Sequence, residues 1–163
     1  MADYLDARRI RALARSLGLK PSKGRGQNFL FDANTVRRIV SCAQVAPGDT
    51  VLEIGPGLGS LTAGLMTTEA RILAVEIDPI LSQQLPLTMA DLAPDHIHNL
   101  TVIEQDALSL TTLDSEPTIM VANLPYNISV PVLLHTLAAF PSITRGLVMV
   151  QLEVADRLAG VMA

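Results

Sequence analysis

The segment "MVANLPYNIS", residues 120–129, brings an amide, Asn123, out of an apolar run and follows it with a rigid turn at Pro125 and the ring of Tyr126, one of two tyrosines in the chain. An aromatic amine such as adenine N6 is a poor nucleophile, because its lone pair is delocalised into the ring. Two acceptors that hold its hydrogens out of the ring plane free that lone pair. The Asn123 side-chain oxygen and the Leu124 main-chain carbonyl can be those acceptors, with Pro125 fixing the turn. Tyr126 offers a face on which an extruded base stacks, worth about 1–3 kcal/mol. Ordinary turn chemistry explains the asparagine and the proline but not the tyrosine.

Three further segments place polar groups after apolar runs. "EIGPGLGSLT", residues 53–62, alternates Gly55, Gly57 and Gly59 before a helix, so the backbone can turn tightly and approach a ligand at the helix start. It is not the dinucleotide fingerprint, because the third glycine falls one place early and Glu53 precedes the loop. A pyrophosphate is repelled by Glu53; a ligand with a positive amino-acid end is better tolerated. Glu76, at the end of "LAVEID", is placed to accept both hydroxyls of a ribose, with Asp78 the nearby competitor. In "EQDAL", Asp106 can take the exocyclic amine of an adenine and the Ala107 N–H can meet a ring nitrogen, with Ile77 as an apolar surface under the base. An adenosine-containing ligand without required phosphates fits this set, and S-adenosyl-L-methionine is such a ligand.

The elements that must hold these groups are legible in the periodicity. "TVLEI" (50–54), "RILAVEI" (71–77), "LTVIE" (100–104), "TIMVA" (118–122) and "GLVMVQ" (146–151) read as strands, with helices near 59–68, 79–90, 129–139 and from 152 onward. Strands apolar on both faces and separated by helices imply a doubly wound α/β domain with a mostly parallel sheet. In such sheets ligands sit at the carboxyl ends of the strands, where all four segments fall. Upstream, Ile10, Leu13, Ala14 and Leu17 form the apolar side of an amphipathic helix, with Arg8, Arg11 and Arg15 opposite and Gly18 closing it. "LKPSKGRGQNF" is a connection, and a second helix starts near Asp32 or Asn34 with Val36, Ile39, Val40 and Ala43 on one face. Residues 1–48 therefore read as a basic N-terminal helix, linker and capping segment, and 49–163 as the core.

At 163 residues and 49% hydrophobic side chains the chain suits one well-buried domain. The net charge of −4 hides a partition: residues 1–40 hold nine of the twelve Lys and Arg against three acids, leaving that segment about +6 and the remainder about −10. A basic segment on an acidic body suits the tracking of nucleic-acid phosphates by Arg8, Arg11, Arg15, Lys20, Lys23 and Arg25. Cys42 has no second cysteine, and His96, His98 and His135 follow no ligand pattern, so no metal is expected. Without a long apolar stretch or a secretory signal, the chain reads as cytoplasmic, and as a monomer.

Taken together, "GQNFL" at 26–30, "EIGPGLGSLT", "AVEID", "QDAL", "NLPYNIS" and "VQLEVADRL" at 150–158 resemble, in order, the N-terminal catalytic part of the small-subunit (16S) ribosomal RNA adenine N6,N6-dimethyltransferases. The resemblance implies a Rossmann-like class I S-adenosylmethionine-dependent methyltransferase fold. It also implies that Gln27, Asn28 and Leu30 flank the methionine end of the cofactor, with Gly55, Gly57, Glu76, Asp106 and Asn123 completing the pocket. The implied substrate is two adjacent adenosines near the 3′ end of 16S rRNA, methylated late in 30S subunit biogenesis. Leu152 stands where many members carry lysine. The resemblance further implies that the last two strands, a later aromatic motif and a C-terminal helical domain are missing after Ala163, so that the sheet is C-terminally truncated.

The sister 23S rRNA adenine methyltransferases of antibiotic resistance share the plan but more often read "SQNF", "EIGSGKG" and "NIPY". A non-catalytic RNA-binding or assembly module is the alternative from another class, and a nucleotide-dependent dehydrogenase a distant third. The expected chemistry is direct in-line methyl transfer to N6, driven by proximity and orientation without a strong general base.

Overall fold

The computed structural model describes residues 4–19, 32–124, 127–150, 156, 159 and 160. Five parallel strands, β1 (Thr50–Ile54), β2 (Arg71–Glu76), β3 (Leu100–Glu104), β4 (Ile119–Asn123) and β5 (Arg145–Met149), form one sheet in the order β3-β2-β1-β4-β5. The order reverses on either side of β1, the arrangement that opens a crevice at the carboxyl ends of β1 and β4. The strands lie within two residues of the sequence reading at each end. β4 is set one residue later and so includes Asn123, while β5 is set earlier and stops at Met149.

Alternation along the strands divides the interior into two layers. On one face Val51, Ile72, Ala74, Ile119 and Val121 pack with α2 (Ala33–Ala43), α3 (Ser60–Met66) and α4 (Pro79–Leu92), and with the N-terminal helix α1 (Ala7–Ser16). On the other, Leu52, Ile54, Leu73, Val75, Met120 and Ala122 pack with α5 (Ser129–Ala139) and the short turn carrying Ala107 and Leu110. β1, β2 and β4 are buried almost throughout, as central parallel strands covered on both faces must be.

The helix starts are encoded locally. Asp6 caps α1 by accepting from Arg9 N–H, Asp32 caps α2 by accepting from Asn34 N–H, and Asp78 caps α4 by accepting from Ile80 N–H. Leu5, Ile10 and Val36 are buried in the core under the sheet, which seats α1 and α2 on the same layer as α3 and α4. The guanidinium of Arg37 lies 4.4 Å from the centroid of the Tyr4 ring and ties the segment before α1 to α2.

Candidate functional site

The loop after β1 is shaped by glycines. Gly55 has φ +72° and its N–H donates to Val75 O at 3.0 Å, prolonging the β1–β2 ladder. A β-carbon built on Gly55 would lie 3.2 Å from the main-chain oxygen of Asn123, so the glycine loop and the end of β4 touch. Gly59, at φ +101°, serves packing: a β-carbon there would meet Met89 Cε at 2.7 Å and Leu85 Cδ1 at 2.8 Å, so its absence lets α3 close onto α4.

Two carboxyls sit beneath this loop on the same face of the sheet. Glu53 is 1% exposed; Thr62 Oγ1 donates to its Oε2 at 2.7 Å, while its Oε1 is buried without a hydrogen-bond partner among the described residues. Burial pushes the Glu53 carboxyl up to about 8, opposed by the Thr62 hydrogen bond and reinforced by the charge of Glu76. Glu76 is 7% exposed and is likewise pushed up to about 7 by burial, although the backbone N–H groups of Asp78 and Gly57 donate to it. The sequence reading took Glu53 as repelling a pyrophosphate and tolerating a positive amino-acid end; its partner Thr62, nine residues on and the third residue of α3, was missed. The spacing of an acid and a hydroxyl either side of the glycine loop was the available signal.

Along the crevice, Asp106 is exposed and its Oδ1 accepts from Leu108 N–H at 3.0 Å, which fixes the turn after β3. Ala107 is buried beside it, and Ile77 projects from the end of β2 with 64% of its surface exposed. Asn123 ends β4 half-buried, paired in register with Met149, and Leu124 is buried with its N–H donating to Met149 O at 3.4 Å. The structure thus brings Gly55, Gly57, Glu76, Ile77, Asp106, Ala107, Asn123 and Leu124 to one end of the sheet. Gln27, Asn28, Leu30, Pro125 and Tyr126, with Lys20, Lys23, Arg25 and Leu152, lie outside the described residues. Arg8, Arg11 and Arg15 are exposed on α1, away from its buried Ile10.

The donor set matches an adenosyl sulfonium. No lysine, arginine or histidine among the described residues bears on Glu53 or Glu76, which suits a ligand carrying hydroxyls and positive charge. No group of three or more His, Cys, Asp or Glu that could hold a metal occurs among the described residues, and no helix among them is long and apolar enough to cross a membrane.

An open parallel sheet of this order with a glycine loop after β1 and an acid closing β2 defines the Rossmann-like, class I methyltransferase fold. Solved structures agree: the 23S rRNA methyltransferase ErmE superposes with a TM-score of 0.71 at 33% identity over 82% of this chain and 52% of its own. A dimethyladenosine transferase from Plasmodium falciparum follows at 0.70 and 27% identity, over 81% and 46%. The family model described as "Ribosomal RNA adenine dimethylase" matches residues 19–162, and the chain belongs to that family. The ribosomal RNA small subunit methyltransferase A of Corynebacterium efficiens is 58% identical over 162 residues, 98% of this chain and 56% of the relative. That of Thermobifida fusca is 57% identical over 151 residues, 92% and 53%. The chain spans about half the length of the curated relatives it matches.

Proposed function

We propose that the chain is the cofactor-binding and base-presenting part of an S-adenosylmethionine-dependent enzyme that methylates N6 of two adjacent adenosines near the 3′ end of 16S rRNA, in the cytoplasm, during late 30S subunit biogenesis. The observation that supports the reading is the approach of Gly55 to the main-chain oxygen of Asn123, which puts the loop proposed to seat the donor beside the residue proposed to receive the amine. Relatives named for the small subunit are 57–58% identical, against 33% for the 23S enzyme ErmE, which favours the 16S substrate over the 23S alternative.

In this reading Gly55 and Gly57 admit the cofactor by close backbone approach, and Glu76 accepts the ribose hydroxyls. Asp106 and the Ala107 N–H read the cofactor's base, Ile77 covers its face, and Gln27, Asn28 and Leu30 close over the methionine end. When bound, S-adenosylmethionine supplies an electrophilic methyl on a sulfonium. Asn123 Oδ1 and the Leu124 carbonyl accept the two N6 hydrogens and turn the nitrogen lone pair out of the ring plane; Pro125 holds that corner and Tyr126 stacks on the extruded base. Proximity and alignment supply most of the acceleration, and the proton leaves after attack. The basic face of Arg8, Arg11 and Arg15, continued by Lys20, Lys23 and Arg25, grips rRNA phosphates. Residues 1–48 act as the RNA-gripping and capping unit on the 49–163 core.

Mass mapping of immature 30S rRNA after incubation with S-adenosylmethionine, using this chain and a form extended to the relatives' full length, tests the reading. Dimethylation of two adjacent adenosines near the 3′ end of 16S rRNA by the extended form is expected. Methylation confined to 23S rRNA, or RNA binding without methylation by the extended form, overturns it.

A further inference from the structure

We infer that Glu53 and Glu76 form a charge-sensing seat beneath the glycine loop: a ligand that brings a sulfonium charge expels a proton from the pair, and the thioether of the same shape, which keeps only the amino-acid end common to both, does not. This rests on the proposed cofactor site and deepens it, by assigning to Glu53 a part in telling donor from spent product.

The geometry is unusual for a structural acid. Glu53 stands in the middle of the sheet between Ala74 of β2 and Val121 of β4, its two register partners, and neither can bond it. From α3 it receives one hydroxyl, that of Thr62, and its second oxygen is buried with no hydrogen-bond partner among the described residues. A buried carboxyl oxygen without a donor costs free energy that a merely structural site would avoid, and such orphans concentrate where a ligand completes the bonding. The ionisable groups that bear on the pair are themselves acids. Glu76 follows two residues beyond Ala74 on the same face of β2, Asp78 stands at the N-cap of α4, and Glu104, the register partner of Glu76 on β3, takes the Ser82 hydroxyl at 2.8 Å. No lysine, arginine or histidine contributes to the electrostatics of either Glu53 or Glu76 among the described residues.

Burial, reinforced by the neighbouring acids, raises these carboxyls to about 8 for Glu53 and about 7 for Glu76, so at pH 7 Glu53 is mostly protonated and Glu76 about half protonated. An opposite charge within ~4–6 Å lowers a carboxyl pKa by ~1–3 units, enough to ionise one member of the pair at pH 7. Methyl transfer removes that charge. The C–S bond breaks with its electron pair retained on sulfur, the new C–N bond makes the amine an ammonium that loses a proton to solvent, and a neutral thioether is left. The carboxylate then regains a proton from solvent. The seat therefore favours the sulfonium before transfer and relinquishes the thioether after it.

Titration calorimetry of this chain with S-adenosylmethionine and S-adenosylhomocysteine, in phosphate and in Tris at pH 6–8, counts the protons released. The methionine form is expected to release protons and to gain affinity with rising pH, up to about ten-fold per unit below the ligand-free values of about 7 for Glu76 and about 8 for Glu53. The homocysteine form should release fewer, and Glu53→Gln should flatten the difference. Equal proton counts for the two ligands in the unmutated chain overturn the inference while leaving the cofactor site standing, and that comparison decides the matter even if the variant fails to fold. A folded Glu53→Gln chain with an unchanged difference also overturns it. Binding of neither ligand by the unmutated chain overturns the cofactor site itself and the inference with it.

Discussion

Gly55 and Asn123, 68 residues apart in the chain, meet so closely that a single methyl on the glycine would stand 3.2 Å from the asparagine's carbonyl oxygen. The contact joins the loop after β1 to the end of β4, and the backbone of Gly55 lies there at φ +72°. Gly55→Ala is expected to cost about 1–2 kcal/mol through the left-handed conformation alone. It should also push the β4 end outward by a few tenths of an ångström. Cofactor affinity measured by calorimetry should fall by more than ten-fold while the far-ultraviolet circular dichroism is retained; wild-type affinity would mean that no ligand approaches here.

Asn123→Ala removes one of the two proposed acceptors for the amine without touching the glycine loop. The expected loss is about 1.5–3 kcal/mol of transition-state stabilisation, roughly 10–100-fold in turnover. Cofactor affinity, to which Asn123 also belongs in the implied pocket, should fall by less than turnover does. Single-turnover methylation by the full-length form, followed by mass spectrometry of the rRNA, checks the split between the two.

The buried pair also sets a pH dependence of stability. Glu53 and Glu76 are raised to about 8 and about 7 from an ordinary 4.5, so the folded chain holds protons that the unfolded chain has lost. Stability without ligand should therefore decline as pH rises from about 5 to 8, by up to about 1.4 kcal/mol per pH unit for each proton involved. Urea midpoints at pH 5.5, 6.5 and 7.5 measure this. Glu53→Gln, which keeps the shape and removes the ionisation, should show a shallower decline; an equally steep one would locate the titration elsewhere.

Much of this was readable from residue order. The β-branched runs between helical stretches gave the sheet, the Asp32 or Asn34 signal gave the start of α2, which Asp32 caps, and each polar residue that follows a strand falls at the same end of the sheet because parallel strands all point one way; the cap at Asp78 was not read. The charge state of Glu53 was not readable, because a strand that alternates Leu, Glu, Ile does not reveal that its glutamate points into a layer offering one hydroxyl. Nor was the packing role of Gly59 against Leu85 and Met89, which depends on where α4 crosses α3. Long-range contacts of this kind have no local signature.

Arg145 shows the same limit at the opposite end of the sheet. Its Nη2 donates to the Gln44 carbonyl at 2.9 Å and to Asp49 Oδ2 at 3.2 Å, while Asp49 Oδ1 accepts from Thr118 Oγ1 at 3.0 Å. One guanidinium thus fastens β5 to the carbonyl end of α2 and to the turn before β1. The Asp49 carboxyl is held below its usual range, first by the Ala46 N–H and further by Thr118 and Arg145, so this contribution is present above pH 4 and is lost on acidification through its lowered pKa. Arg145→Met keeps the aliphatic stem and should lower stability by about 1–2 kcal/mol, read as a shift in the urea midpoint without a change of slope.

The basic face of α1 admits a test that separates steering from chemistry. Arg8, Arg11 and Arg15 project from the helix opposite Ile10, so reversing their charge leaves the buried face untouched, and the helix keeps its Asp6 cap. Three neutralised phosphates make log affinity fall with log salt at a slope of roughly −0.9 each for duplex regions, so the triple Arg→Glu change should weaken RNA binding steeply at low salt and reduce the measured slope by about three. Cofactor affinity should be unchanged, since the crevice lies at the carboxyl ends of the strands. Filter binding to a 16S 3′-end hairpin across 50–300 mM salt supplies the slope. An unaltered slope would assign these arginines to solvent and move the RNA-gripping surface elsewhere on the molecule.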